Sequence, residues 1–335
     1  MIVPSFPAGT ATSIGSLPHA DPAAAVAFVL DRLPGLPAAP SLPCRSPLES
    51  MVAQAAWGIV GVDVGADGSL VVDPGRLDPA APLGDPTLAG EPFVALRAFL
   101  DAVTNRNGPI KLQLTGPVTL ALALHRAGAP LELALDVAGA AVRNRASALL
   151  DLAERGAPAA GWLVFVDEPG LASAALAIAA PPVDRVLDLV SGALAALEPR
   201  AVTGLHCCGH ADWRALIQAG PQVLSLPVDA GIDGAAGALG AFVDRGGWVA
   251  WGTVPTEGPV GTDAGRWWRR LSALWCDLVR AGCDPVRLRQ QALITPVCGL
   301  ALHGTTQAEL ICDLTTQVAD RLADQTLGVR LSVGA

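Results

Sequence analysis

Trp162-Leu163-Val164-Phe165-Val166-Asp167-Glu168-Pro169 is the stretch on which the reading of the fold turns. Five consecutive apolar residues followed abruptly by two carboxylates and a proline read as a short strand that ends at a polar rim. Neighbouring strand residues face opposite sides, so at most one of Asp167 and Glu168 enters a site while the other serves backbone or a neighbour. A plainer alternative is that both cap the helix that follows.

Outward from this stretch the same unit recurs. Strand candidates fall at 10–16, 39–43, 110–115, 162–167, 201–206, 223–227, 248–252 and 292–296. Amphipathic or Ala-rich helical stretches lie among them at 21–33, 47–57, 92–105, 131–155, 183–197, 211–219, 234–245 and 264–281, and a last helix is expected at 305–327. Eight β-then-α units on one chain predict an α/β fold of the (β/α)8 TIM-barrel type. Roughly 150 residues per domain would divide 335 residues in two, but such a barrel absorbs about 250 or more as one unit. No linker divides the chain, so 1–335 is expected to be a single catalytic barrel. Two embellishments interrupt the repeat. Segments 59–62 and 70–73 predict a β-hairpin inserted after the second unit, and Gly128-Ala129-Pro130 splits the long stretch between the third and fourth strands into two helices. The rival fold, an open doubly wound sheet, lacks its GxGxxG turn after the first strand.

Composition narrows the function classes. The chain is 51% hydrophobic and 16% charged, enough apolar residue for a large core. Its net charge of −9, from 31 acidic and 22 basic residues, and the lack of a basic stripe disfavour nucleic acid or an anionic membrane as partner. Lys111 is the only lysine and tyrosine is absent, which reads as coding bias. Residues 1–10 have no secretory pattern, and no apolar run of about 18 residues escapes interruption, so a cytoplasmic protein is expected. Seven cysteines are too few and odd in number for a disulfide framework.

In a barrel the site lies at the C-terminal strand ends. Gly15-Ser16, Thr115-Gly116, Asp167-Glu168, the run His206-Cys207-Cys208-Gly209-His210, and Cys298 all fall there. Imidazole and thiolate are preferred zinc ligands, and an H-x-C spacing turns His206 and Cys208 to one side with Cys207 facing away. Cys298 could close a third bond across the mouth. The plainer reading is a pair of buried thiols beside a hydrogen-bonded histidine. Cys44, Cys276, Cys283 and Cys312 are expected to be core thiols, and His125 structural. His19 lies open between a substrate contact and a loop histidine, and His303 is a candidate outer partner of the metal. Thr115-Gly116-Pro117 reads as an architectural strand-to-helix turn.

Together Thr12-Ser13-Ile14-Gly15-Ser16-Leu17-Pro18, Leu114-Thr115-Gly116-Pro117-Val118-Thr119, Val166-Asp167-Glu168-Pro169, Leu205-His206-Cys207-Cys208 and Pro296-Val297-Cys298-Gly299-Leu300 resemble the C-terminal catalytic barrel of cobalamin-independent methionine synthase. They occur in family order over nearly the whole chain. The resemblance implies a barrel related to uroporphyrinogen decarboxylase and a zinc ion that activates the thiol of homocysteine for methylation. It implies His206, Cys208 and Cys298 as ligands, Ile14, Gly15 and Ser16 as contacts to the amino acid, and Asp167 as catalytic partner of its ammonium. The methyl donor would be methyltetrahydrofolate or a methyl-corrinoid, free or protein-bound.

Three departures accompany it. The family's N-terminal domain, which helps bind the folate, is expected to be absent. The family's glutamate zinc ligand aligns near Pro227, where Asp229 is the nearest carboxylate. A second amino-acid-binding glutamate aligns at Arg45, with Glu49 just beyond. A related methyltransferase that moves methyl between a corrinoid protein and coenzyme M shares the H-x-C plus distant Cys set. A non-catalytic metal- or thiol-binding relative is the reading from another class.

Overall fold

The computed structural model describes residues 5–158, 160–173, 175, 179 and 181–333. Its strands are β1 (Thr10–Ala11), β2 (Val62–Val64), β3 (Leu70–Val72), β4 (Pro109–Thr115), β5 (Gly161–Asp167), β6 (Val202–His206), β7 (Val223–Pro227), β8 (Trp248–Val254) and β9 (Ala292–Pro296). Seven of them form one curled parallel sheet in the order β1-β9-β8-β7-β6-β5-β4. β2 and β3 form a separate antiparallel pair, with Asp63 opposite Val71.

Helices α1 (Pro22–Arg32), α2 (Met51–Ala56), α3 (Val94–Ala102), α4 (Pro117–Arg126) and α5 (Leu131–Gly156) occupy the first half. After β5 come α6 (Val183–Leu197), α7 (Trp213–Gln218), α8 (Ala236–Asp244), α9 (Ala264–Arg280), α10 (Pro285–Gln290) and α11 (Thr305–Val333). The arrangement is a TIM-barrel-like α/β fold. Among the described residues no helix is long and apolar enough to cross a membrane.

The core is layered by strand parity. Leu163 and Phe165 of β5, Val202, Val223, Trp248, Ala250 and Leu293 form a compact cluster with Leu36 on the concave face of the sheet. Their odd or even partners, Val164 and Val166 among them, face outward into the much larger cluster shared with the helices. Gly204 makes this concave packing possible: a Cβ there would lie 2.2 Å from the Phe165 ring.

The parity also carries polar groups. In Ile110-Lys111-Leu112-Gln113-Leu114-Thr115 the polar residues share the side of Phe165, and the Lys111 ammonium sits 4.5 Å from that ring's centre. Register aligns Thr115 with Asp167, Asp167 with His206, and His206 with Ser225 at the C-terminal strand ends.

The first two expected strands are much reduced. β1 ends at Ala11, and Gly15, at φ +141°, takes a backbone conformation outside a regular ladder. The 39–43 candidate forms no strand: Pro37, Pro40 and Pro43, at every third position, each remove a donor that a continuous ladder needs. Isolated bonds survive. Ala39 N donates to Lys111 O at 2.9 Å and Lys111 N to Pro37 O at 2.9 Å on one side, while Leu17 N donates to Ser41 O at 3.0 Å on the other. This extended segment therefore spans the gap between β4 and the continuation of β1. The helices expected at 47–57 and 92–105 each begin as a short 3-10 turn, at Pro47–Glu49 and Glu91–Phe93.

Candidate metal centre

β6 ends on His206, and the two residues beyond it swing Cys208 toward the loop after β9, which carries Cys298. One ligand atom from each of His206, Cys208 and Cys298 lies within 4.8 Å of the others. A tetrahedral zinc with bonds of about 2.0–2.3 Å would hold its donors roughly 3.3–3.8 Å apart, so modest closure completes such a site. The donor chemistry fits the ion. His206 Nδ1 is 2.9 Å from the hydroxyl of buried Ser225, which orients the ring, and His206 Nε2 is buried with no well-formed hydrogen bond among the described residues. An orphaned imidazole nitrogen facing two sulfurs is what a metal would satisfy. Without it, a hydrogen bond from Cys208 and the adjacent His206 lower the Cys298 thiol well below its ordinary value, while the same bond raises Cys208. Cys207 faces away and is buried, which pushes its thiol up to about 11.

Two cavities meet at these sulfurs. One, of about 230 Å³, is lined by Ile14, Ser16, Gln113, Thr115 and Asp167 as well as the three ligand candidates. The other, of about 310 Å³, lies across Cys208 and Cys298 and is walled by Pro227, Asp229, Thr256 and Glu257.

Asp167 lines the first cavity, and its Oδ1 is buried with no hydrogen-bond partner among the described residues. Burial pushes its carboxyl up to about 6, against the pull of Lys111 and His206. Lys111 Nζ, fully buried, donates to Ile14 O at 2.7 Å and to Gln113 Oε1 at 3.1 Å, and burial lowers it to about 8. Ile14 and Ser16 line the cavity, while Gly15 lies against the Gln113 amide, where a Cβ would stand 2.4 Å away. Ser16 O accepts from Leu300 N at 2.8 Å, and a Cβ on Gly299 would fall 2.0 Å from Ser16 Oγ. The Cys298 loop is thereby seated on the Ser16 segment.

Glu168 points the other way and caps α4. Its carboxylate accepts from Val118 N at 2.8 Å, Thr119 N at 2.7 Å and Thr119 Oγ1 at 2.5 Å. Complete burial outweighs these donors and pushes the carboxyl up to about 7. The folded protein therefore binds this proton more tightly than the unfolded chain, whose glutamate titrates near 4.5. Its stabilising contribution is complete below about 4.5 and is lost as pH rises through about 7. Urea unfolding from pH 4.5 to 7.5 should accordingly show wild type losing stability relative to Glu168→Gln, whereas a constant difference would mean that Glu168 does not titrate there.

Several residues expected at the site lie elsewhere. Glu49 is fully buried and engaged: it accepts from Leu42 N at 2.7 Å and Ala95 N at 3.2 Å and is paired with Arg45 at 2.8 Å. It forms no part of the cavity wall. Arg45 is held by Glu49 and by Glu91, also at 2.8 Å, so it offers no free cation. Asp229 stays outside the three-ligand cluster and pairs with Arg270 at 3.0 Å on the surface. Cys44 and Cys276 are exposed rather than core thiols, whereas Cys283 and Cys312 are buried. His19 packs on Phe28 with ring centres 4.9 Å apart, and His125 Nδ1 is 2.8 Å from Ala129 O at the end of α4. His303 is half-buried, and its backbone N–H donates to Leu300 O.

Lys111, Gln113, Gln54 and Ser225 are the site residues that motif reading missed. For β4 the missed signal is alternation: Lys111, Gln113 and Thr115 at every second position of an apolar strand mark a polar stripe inside the sheet.

No family model matches the chain, and no curated protein matches it. Among solved structures, it is similar to a B12-independent methionine synthase from Shewanella sp. W3-18-1 in complex with selenomethionine. The TM-score is 0.63 at 14% identity, over 96% of this chain and 99% of that one. At that identity the likeness is one of architecture, and it shows a methionine-synthase-like fold.

Proposed function

We propose that this chain is a zinc-dependent methyltransferase that moves a methyl group onto a thiol, with homocysteine, and hence methionine formation, the favoured reaction. The observation that carries the reading is the orphaned His206 Nε2 facing Cys208 and Cys298 at the junction of two cavities. His206, Cys208 and Cys298 would hold the ion and leave a position open for a ligand. Zinc bound there would supply a deprotonated thiol at neutral pH, where a free thiol of pKa about 8.5 is mostly protonated. Around it, the cavity wall positions the acceptor and excludes water, and Ile14 and Ser16 flank its polar end. Asp167, with an unpartnered buried oxygen, would take the ammonium of an amino-acid thiol. The donor would approach through the second cavity, so that the new S–C bond forms as the donor–methyl bond breaks and the thiol proton leaves the site.

Methyl-transfer assays on the zinc-loaded protein test this. Homocysteine should outperform coenzyme M as acceptor, and Asp167→Asn should reduce that preference by about 10- to 150-fold, the worth of a charge-assisted bond. Equal acceptors, or a preference untouched by the substitution, would remove the ammonium assignment. No transfer to any thiol would favour the non-catalytic metal-binding reading. Asp229 belongs to the Arg270 pair, so Asp229→Ala is expected to leave zinc affinity within about twofold of wild type, the size of effect expected for an exposed pair. Loss of zinc as complete as in His206→Ala would place Asp229 among the ligands.

A further inference from the structure

Cys208 and Cys298 come from distant parts of the chain, yet their sulfurs and a nitrogen of His206 lie within 4.8 Å of one another. Both cysteines stand in bends beyond the ladder, one after β6 and the other after β9, and both are half-buried rather than sealed. Cys207 is the contrast. It is only 1% exposed, and its thiol lies 3.9 Å from Gly209 O, turned away from the cluster.

A disulfide needs its sulfurs about 2.0–2.1 Å apart, so the pair must close by at most about 2.8 Å, in segments that no strand ladder holds. Access is open from two sides. Cys208 and Cys298 line both the cavity of about 230 Å³ and the one of about 310 Å³. Asp229, the nearest candidate for a fourth protein ligand, is held by Arg270 at 3.0 Å and does not close the position over the sulfurs. A pocket that brings a thiol to these sulfurs also brings the disulfide of a like thiol to the same place.

We infer that Cys208 and Cys298 form a reversible disulfide in the metal-free protein, made by exchange with the disulfide of a small thiol, and that this bond shuts the metal position. One protein sulfur, as thiolate, attacks the small disulfide RS–SR; a protein S–SR bond forms as the RS–SR bond breaks, and one RS⁻ leaves. The other protein sulfur then attacks the sulfur of its partner, and the second RS⁻ leaves as the Cys208–Cys298 bond forms. Both thiol protons pass to the departing thiolates. The protein thereby loses two electrons and the small disulfide is reduced to two thiols. Zinc and the disulfide exclude each other because each uses both sulfurs. Only this exclusion rests on the metal reading above; the disulfide itself rests on the two sulfurs and their access.

The test treats metal-free protein with hydroxyethyl disulfide at about pH 8, where an ordinary thiol of pKa about 8.5 is partly ionised. A Cys44→Ser/Cys276→Ser background removes the exposed thiols. Two thiols should disappear without any added mass, and dithiothreitol should restore both. This adduct-free loss should persist in Cys207→Ser and vanish in Cys208→Ser and in Cys298→Ser. The oxidised protein should bind zinc at least about 100-fold more weakly than the reduced one, since it has lost two direct ligands. Thiols retained in full, a stable mixed disulfide in place of the cross-link, or an adduct-free loss that survives Cys208→Ser would overturn the inference. Should a serine variant not fold, fragmentation of peptides from the oxidised protein locates the bond, and any pair other than Cys208 and Cys298 would likewise overturn it. A cross-link that forms in protein whose reduced and oxidised states bind zinc alike, or not at all, would uphold the disulfide and reject the metal reading. Zinc bound by reduced protein that keeps both thiols under the oxidant would do the reverse.

Discussion

Cys298→Ser is expected to weaken zinc binding by well over 100-fold while Cys312→Ser leaves it unchanged. The three ligand atoms come from the end of β6 and the loop after β9, and they lie within 4.8 Å only because both ends reach the same mouth. Removing an outer partner of a metal ligand costs about 10- to 100-fold in affinity, and a direct thiolate ligand must cost more, since a serine hydroxyl does not ionise in its place. Ser225→Ala, which frees His206 Nδ1 without touching a ligand atom, should therefore fall in the 10- to 100-fold range. Cys312 is buried in the helical core, so its substitution is a control for general loss of a thiol. Competition against a chromophoric chelator, with circular dichroism to verify folding, measures all three variants. Equal stoichiometric zinc in wild type and Cys298→Ser would remove Cys298 from the site.

The second large effect is on stability. Gly116 precedes α4, and a Cβ there would stand 2.2 Å from the Glu168 carboxyl carbon and 2.3 Å from one of its oxygens. That carboxyl cannot step aside cheaply, because it holds three donors at the start of α4 and has no water to retreat into. Gly116→Ala must either displace it, leaving Val118 N and Thr119 N unpaired, or push α4 off the sheet. Leaving a buried donor unpaired costs about 1–3 kcal/mol and overpacking about 1–3 kcal/mol, so a loss of about 2–5 kcal/mol is expected in urea unfolding of this variant. Gly192→Ala sets the contrast. It lies on α6, where the nearest atom to a new Cβ is an Arg143 nitrogen at 3.8 Å, so replacing glycine should stabilise the helix by about 0.5–1 kcal/mol. A Gly116→Ala variant as stable as wild type would show that the Glu168 cap contributes little.

The strands after residue 109 were legible because each is a short apolar run bounded by a turn, and this is how a strand covered on both faces must read. The failures cluster in the first third of the chain. Proline in Leu36-Pro37-Ala38-Ala39-Pro40-Ser41-Leu42-Pro43 left the composition apolar while removing the donors, so an extended connector looked like a strand. At the site, the convergence of His206, Cys208 and Cys298 was legible from residue type and strand-end position, because strand ends of one parallel sheet meet at one mouth. Glu49 could not. Whether a carboxylate faces a ligand or closes on Leu42 N, Ala95 N and Arg45 depends on the fold of the segment between, which no spacing rule encodes.

X-ray absorption at the zinc edge, on protein loaded with one equivalent of zinc, bears most directly on the central claim. The account predicts one nitrogen at about 2.0–2.1 Å and two sulfurs at about 2.3 Å from the protein, with a third sulfur appearing at that distance when homocysteine is added. A shell without two protein sulfurs, or one that homocysteine leaves unchanged, would contradict it.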